Sequence, residues 1–489
     1  MSYGELQGFK QLKGYMTSKL HITTTNSNLY GQAVTVKDST GTTILTGSFN
    51  NSGVCDFLTD VCGELTITCN SVVKRIKVTS YATYNVEFSS VYGFKIEKAN
   101  SNPSSRVTPI AGCRNVDFLS AYMDYSTNTF NYGSWEDAFF MPKPCMLKSD
   151  GTVDYYLDVN DYTKKEDGVT ASEIANTSYD GNAMMEFPKV YIHAYEDTNY
   201  EYYEISDTKV SNDFKCYAHL DQNGNEIPYC YMPIYNGSLI SNKIRSLSGQ
   251  AIMKTQTGSA EITYATANGS LWYTELLVDR LLVNNLLVLM GMSTDTQAVF
   301  GQGLTTSGSE STNNSFRTGV HNDKGLFYGT NSGAASTYTN AVKVFGMENW
   351  WGLQWRRIGG YINASGTQKI KLTYNTTDGS TVSGYNQNGN GYITVSNATP
   401  SGTSGGYINV CKLVEGFGRI PVTASGSEST YEKDGLWFNN SQTDYAFVGG
   451  VSDSAGLCGA FAVYLYGAVS RSGWSVGASL SCKPNAATD

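Results

Sequence analysis

Between Trp272 and Met290 the polar residues are Thr274, Glu275, Asp279, Arg280, Asn284 and Asn285, and every other position is apolar or aromatic. They recur every four to five positions, which makes them a narrow stripe on an otherwise apolar helix. Such a helix has to be buried on most of its surface, so the rest of the chain must wrap it. The spacing predicts the main helix of the protein here, packed on a sheet. A second, short helix is expected over Val169–Asn176.

Elsewhere the pattern is β. From Lys19 to about Ser90 short β-rich runs follow one another, at Leu20-His-Ile-Thr-Thr, Ala33-Val-Thr-Val, Thr43-Ile-Leu, Leu65-Thr-Ile-Thr, Ile76-Lys-Val-Thr and Tyr84-Asn-Val-Glu-Phe. Turn signals such as Asp38-Ser-Thr-Gly and Asn51-Ser-Gly separate them, which predicts a small β-sandwich over residues 17–92. Residues 1–16 read as an arm, with a short helix over Glu5 to Tyr15. The polar seam Glu97 to Ser105 predicts a linker within a β-rich connection over 93–133. The region 134–489 stays β-rich around the long helix, with a protruding hairpin at about 364–410, where Lys369-Ile-Lys-Leu-Thr-Tyr and Gly391-Tyr-Ile-Thr-Val alternate. The expected fold class is mostly β with an α+β C-terminal part. Ser-Gly-Ser-Glu-Ser-Thr occurs at Ser307 and Ser425, in loop-like sequence both times, and reads as chance composition.

Composition narrows the functional classes. Only 16% of the 489 residues are charged, against roughly 25% in ordinary soluble proteins, while 50 are Gly and 35 Tyr. That mixture resembles binding loops more than metabolic enzymes. A net charge of −9 with few basic clusters argues against nucleic acid. The opening Met-Ser-Tyr-Gly-Glu-Leu-Gln has neither a basic start nor an apolar stretch, so synthesis in a cytoplasm without a general export signal is expected. No run of about 18 apolar residues predicts a membrane span. The ten cysteines contain no Cys-x-x-Cys pair and read as buried free thiols.

Catalytic and metal patterns are weak. Gly402-Thr-Ser-Gly-Gly matches a nucleophile elbow but lies in a Ser/Gly-rich connector. The histidines at 21, 193, 219 and 321 have no metal-ligand spacing, and His193 reads as a sheet residue. Asp158-Val-Asn-Asp161 has Thr163 where a calcium loop needs Gly. No catalytic residue and no metal ligand is therefore assigned, and no cofactor is expected. Oxygen-rich loops offer Ca²⁺ donors, but no spacing picks out a set. The stretch Phe345 to Arg357 holds Trp350, Trp351, Trp355, Arg356 and Arg357. Stacked Trp could serve a sugar, and the competing expectation is a core in which the Trp fill the interior and the Arg pair internally.

The last forty residues combine a regular frame with an assortment. Gly449, Gly450, Ala460, Phe461, Gly477 and Leu480 are small or core residues. Between them stand side chains of no common chemistry, among them Val451, Asp453, Leu457, Tyr464, Tyr466, Arg471 and Trp474. A rigid frame with varied display suits a binding face, whereas catalysis needs particular groups in fixed roles.

Val344-Phe-Gly-Met-Glu-Asn-Trp-Trp-Gly-Leu-Gln-Trp-Arg-Arg resembles the Gly-Asn-x-Trp-Glu-Trp turn of the formylglycine-generating variant of the C-type lectin fold, with Leu353 at the family's Asn and Arg356 at its Glu. Val448-Gly-Gly-Val-Ser and Val476-Gly-Ala-Ser-Leu resemble the family's Arg-Gly-Gly-Ser-Trp and Ile-Gly-Phe-Arg strands. The closer resemblance is to phage and gut-bacterial proteins diversified by retroelements, similar in role to the major tropism determinant. Ala138-Phe-Phe-Met-Pro-Lys-Pro-Cys, Tyr155-Tyr-Leu-Asp, Met184-Met-Glu-Phe-Pro-Lys-Val and Leu247-Ser-Gly carry it upstream, over roughly Ser134 to Pro484. The oxidase branch needs a close C-terminal cysteine pair for copper; here Cys458 and Cys482 stand twenty-four apart, with only Cys411 before them, so the resemblance points to binding rather than to an enzyme.

The resemblance implies a C-type lectin-like ligand-binding region at 134–489 that displays a variable face. It places Val451, Asp453, Ser454, Leu457, Tyr464, Tyr466, Gly467, Arg471, Gly473 and Ser475 at template-Asn positions, since each is reachable from an AAC codon by changes in its first two bases. Trp474 is not reachable and would be a fixed anchor. The expected role is a tail-tip or tail-fibre receptor-binding protein of a virion. A homotrimer is expected, attached to other tail proteins through the N-terminal region and meeting a protein or glycan on a bacterial surface. A bacterial adhesin from a diversified cassette, or a formylglycine-type copper oxidase, are the competing roles.

Overall fold

The structure, a computed structural model, describes residues 17–24, 29–69, 72–88, 91–114, 118–374, 385–395, 404–439 and 441–486. The expected arm at 1–16 and, within the expected hairpin, residues 375–384 and 396–403, Gly402 and Thr403 among them, lie outside them. The chain forms two compact units, Met1–Phe94 with Pro109–Leu119, and Lys95–Thr108 with Ser120–Asp489.

The first unit is the expected sandwich. One sheet has the strand order Val54–Thr59, Ser18–Thr23, Thr83–Glu87; the other runs Thr43–Ser48, Ala33–Lys37, Gly63–Cys69, Val72–Val78. Alternation explains it. Leu20 and Ile22 point inward from the first sheet, and Val34, Val36, Leu65 and Ile67 from the second, all fully buried in one core. Val54–Thr59 was not among the expected strands because Asp56 interrupts its apolar pattern. Asp56 faces outward and bonds His21 at 2.6 Å and Lys19 at 2.9 Å across the strand pair.

The second unit is built on two larger sheets. Six strands run in the order Val153–Tyr156, Lys143–Lys148, Gly181–Pro188, Tyr229–Pro233, Leu480–Cys482, Trp272–Thr274. An eight-stranded sheet runs Ile393–Thr394, Thr367–Ile370, Trp355–Ala364, Thr443–Val448, Val463–Leu465, Gly435–Phe438, Ser404–Tyr407, with Val476–Gly477 pairing in parallel beside Trp355.

The long helix spans Leu277–Gly291, and all of it but Gly291 is buried. Its polar stripe is spent on the walls around it. Asn284 donates to Ala460 O at 2.7 Å, Asn285 to Phe417 O at 2.8 Å, and Asp279 pairs with Lys483 at 2.5 Å. The expected start at Trp272 is corrected. Trp272–Thr274 is a strand, and Glu275 stays outside the helix to meet two arginines. It pairs with Arg280, and with Arg356 at 3.1 Å. Helical pitch alone does not show that a strand partner, Leu480–Cys482, claims those three residues.

Three further expectations are corrected. Val169–Asn176 is not a helix, because the Asp167 carboxylate takes the Val169 and Thr170 amides at 2.8 and 2.7 Å and closes a turn. The seam Glu97 to Ser105 is a turn of the second unit rather than a free linker: Glu97 N bonds Arg106 O at 2.9 Å. Arg106 is buried against Glu432 at 3.1 Å, and Arg419 joins that glutamate at 3.0 Å. The described parts of the hairpin protrude only in part: Ile370, Leu372, Tyr385 and Val395 are buried, with the Tyr385 ring 5.4 Å from Tyr273, whereas Gln387, Asn388 and Asn390 are exposed. Trp350 and Trp351 are fully buried and Arg356 and Arg357 pair internally, so that segment is core.

Candidate ligand-binding cavity

The cavity floor is a row of side chains on one face of the eight-stranded sheet. Tyr464 stands opposite Phe447 on one neighbouring strand and opposite Trp437 on the other. Arg357 stands opposite Phe447, and Trp355 lies two residues before it on the same strand face. Val463, Leu465, Leu436 and Phe438 alternate to the opposite side and are buried. The rings interlock: Trp355 meets Trp437 edge-on at 5.5 Å, Tyr464 lies 5.5 Å from Trp355, and Phe447 stacks under Tyr464 at 5.8 Å.

Two loops raise walls on that floor, residues 449–459 and 466–475. Together they border a half-open cavity of about 220 Å³ lined by Trp355, Trp437, Val451, Asp453, Ser454, Tyr464, Arg471, Trp474 and Ser475. Arg471 lies over the Tyr464 ring at 4.9 Å and donates to its hydroxyl at 2.6 Å. The arrangement offers aromatic faces, one guanidinium, one exposed carboxylate and three hydroxyls, those of Ser454, Tyr464 and Ser475. It can hold a ligand with an apolar face and a polar rim.

Of the eleven residues picked from the sequence, seven converge here: Val451, Asp453, Ser454, Tyr464, Arg471, Trp474 and Ser475. Leu457, Tyr466, Gly467 and Gly473 do not line the cavity. Tyr466 is 41% exposed at the rim, its ring 6.0 Å from Tyr464. Val451 lines the cavity while only 4% exposed, so it belongs to the floor packing more than to display. All six expected frame residues are buried. Trp355 and Trp437 were missed. The first sits in a motif whose other Trp are core; the second was legible in Gly435-Leu-Trp-Phe, where Leu436 and Phe438 turn inward and leave Trp437 on the other face.

Gly467 is corrected from display to frame. A Cβ there would stand 2.7 Å from Arg471 Cδ and 2.8 Å from Phe447 Cε2, whereas a Cβ on Gly473 would meet nothing within 4 Å. Gly467→Ala is therefore expected to cost about 1–3 kcal/mol by overpacking. Gly473→Ser should change stability by less than about 0.5 kcal/mol. Urea unfolding of the two variants checks this, and equal losses would contradict the assignment.

Beneath the 466–475 loop, Arg357 and Glu261 form a buried pair at 2.5 Å. Burial pushes the Glu261 carboxyl up to about 7, the nearby Arg357 countering only in part. The folded state thus holds this proton more tightly than the unfolded chain does, where the ordinary value is near 4.5. The stabilisation is fully present below about 4.5 and is lost as pH rises to about 7, by up to roughly 3 kcal/mol. Glu261→Gln should flatten that part of the stability-versus-pH curve, as read by melting between pH 4.5 and 8. An unchanged slope would show that Glu261 does not carry it.

Cys230 Sγ lies 3.4 Å from His219 Nε2, but burial pushes the thiol up to about 12 and the imidazole down to about 3, so the pair stays neutral. All ten cysteines are free; eight are buried as expected, but Cys411 is half-buried and Cys62 is exposed. Among the described residues no group of three or more His, Cys, Asp or Glu is placed to hold a metal, and no helix is long and apolar enough to cross a membrane.

Fold and cavity define a mostly β protein of two compact units with an aromatic-floored cavity near its C-terminal end. No protein-family model matches the sequence, and no curated protein does. A solved structure described as the Bacillus anthracis TIE protein aligns at 10% identity with a TM-score of 0.13, covering 38% of this chain. The chain spans 31% of that protein's length. A likeness at that level carries no argument about fold or role.

Proposed function

We propose that this chain is a host-recognition protein of a virion tail, whose C-terminal region has a C-type lectin-like build and presents a variable ligand-binding face. The observation that carries the reading is the convergence of Asp453, Ser454, Tyr464, Arg471, Trp474 and Ser475, chosen as display positions or anchor, on one cavity. A concave aromatic floor with a mixed polar rim is the usual chemistry of a recognition pocket. Large amphipathic side chains and Arg dominate binding hot spots, and Tyr464, Trp474 and Arg471 are of that kind. The sandwich unit would attach the chain to other tail proteins. A homotrimer would multiply weak contacts into avidity.

The test is adsorption of the purified protein to a panel of bacterial cells, read by flow cytometry, for wild type and for the triple variant Y464A/Y466A/W474A. Adsorption to at least one strain, lost in the variant, is the expected result. Equal adsorption would remove the face from the function. Sequencing around the 3′ end of the gene tests diversification separately, since an active system requires a near-identical, Asn-rich template copy.

A further inference from the structure

The 466–475 wall is held by its main chain. Its carbonyls at Val469, Arg471, Gly473, Trp474 and Ser475 all accept hydrogen bonds from elsewhere in the second unit. Thr255 N reaches Gly473 O at 3.0 Å, Trp355 N reaches Ser475 O at 2.9 Å, and Asn313 Nδ2 reaches Trp474 O at 3.5 Å. Nearest the tip, one side chain takes two of the five. Arg357 donates from Nη2 to Arg471 O at 2.6 Å and from Nη1 to Val469 O at 3.4 Å. Its third contact, from Nε, is the Glu261 carboxylate at 2.5 Å. Both side chains are at most 3% exposed.

We infer that Arg357, oriented by Glu261, is the positioning residue of the ligand face, fixing the 466–475 wall through its carbonyl oxygens. A planar guanidinium with five donors in a fixed fork suits the task, because it can hold a carboxylate on one edge and two carbonyls on the other. The Phe447 ring beneath it, 4.6 Å from Cζ, limits its rotation. Gly258 completes the arrangement. Its amide joins Arg357 on Val469 O at 3.1 Å, and a Cβ there would stand 3.2 Å from Arg357 Cδ, so a bare α-carbon lets the helix Gly258–Thr266 come this close.

The consequence concerns what the wall can display. Main-chain anchoring is indifferent to side-chain identity, so the exposed Ser472 and the unhindered Gly473 can change without altering the path of the chain. The geometry assigns conformation to Arg357 and chemistry to the exposed side chains. It rests on the reading that this face meets a ligand only for its biological meaning; the positioning itself needs no ligand to be measured.

The experiment is amide hydrogen exchange on the full-length protein, with segment resolution, for wild type, R357M, R357K and the wall variant S472A/G473S. R357M keeps the length and burial but has no donor. Expected are exchange at least tenfold faster within 466–475 in R357M, little change in the sandwich unit, partial recovery in R357K, and wild-type protection of the loop backbone in S472A/G473S. Wild-type protection of 466–475 in R357M would overturn the inference. So would loss of protection in S472A/G473S equal to that in R357M. If R357M unfolds the whole second unit, R357K and E261Q decide: loop exchange unchanged from wild type in both overturns the inference, and faster exchange confined to 466–475 in either supports it. Adsorption of the same variants to cells is scored separately, so absence of any cell binding by wild type counts against the proposed function and leaves the exchange result standing.

Discussion

Replacing Glu275 by Gln is expected to destabilise the second unit by about 3–5 kcal/mol, the loss that follows when one member of a buried ion-pair group is removed. Glu275 is fully buried between Arg280 and Arg356, both also buried. Those two cations lie over the Trp350 ring, at 3.7 and 5.1 Å, and bond main-chain carbonyls of the turn around it, Arg280 to Trp350 O at 2.7 Å and Arg356 to Asn349 O at 2.9 Å. With the carboxylate neutralised, two guanidinium charges would share a dry site with only a ring and carbonyls as partners. Burial already pushes the Arg280 guanidinium down to about 9 with Glu275 present. The expected readout is a markedly lower urea midpoint for the second unit at neutral pH, with the sandwich transition unmoved. A loss below about 1 kcal/mol would show that Glu275 does not hold this junction. The junction ties the long helix to the Trp-rich turn and to the strand that carries Trp355 and Arg357, so it also underlies the cavity floor.

The second large effect is on recognition. The triple variant Y464A/Y466A/W474A is expected to reduce adsorption to a receptive strain by at least a hundredfold. Trp474 and Tyr464 line the cavity and Tyr466 stands exposed at its rim. Truncating a central aromatic hot spot costs about 2 kcal/mol or more, so two losses already reach the detection limit of weak binding. Stability changes much less by design of the choice, because Tyr464 and Trp474 are partly exposed and the buried partners Trp355 and Phe447 remain. Circular dichroism and the melting profile of the variant separate lost recognition from lost folding. A fully folded variant that adsorbs like wild type would place the contact elsewhere.

Much of the architecture was legible along the chain. Alternation at Leu20, Ile22, Val34, Val36, Leu65 and Ile67 announced two sheets closing on one core, and each of these residues is buried. The narrow polar stripe at Asp279, Asn284 and Asn285 announced a helix wrapped on nearly all sides. The errors have a common cause. Strand Trp272–Thr274, the turn at Asp167 and the turn at Glu97 to Ser105 depend on partners or local side-chain bonds that periodicity does not register. At the cavity, Tyr464, Trp474 and Arg471 stood out as large side chains in a small-residue frame, whereas Trp355 and Trp437 had no such contrast around them.

The sequence by itself determined which faces must be buried and which C-terminal positions carry dissimilar side chains on a regular frame. It did so because alternation and helical pitch are local properties, set by the geometry of the backbone. Only the tertiary structure decided that Gly467 is packed rather than displayed, that Glu275 leaves the helix for two arginines, and that Arg357 reaches from the sheet to Glu261 and to the carbonyls of Val469 and Arg471. Those pairings join residues up to 114 positions apart. A buried charge is stabilised by whichever partner folding brings to it, and that partner is chosen by three-dimensional proximity.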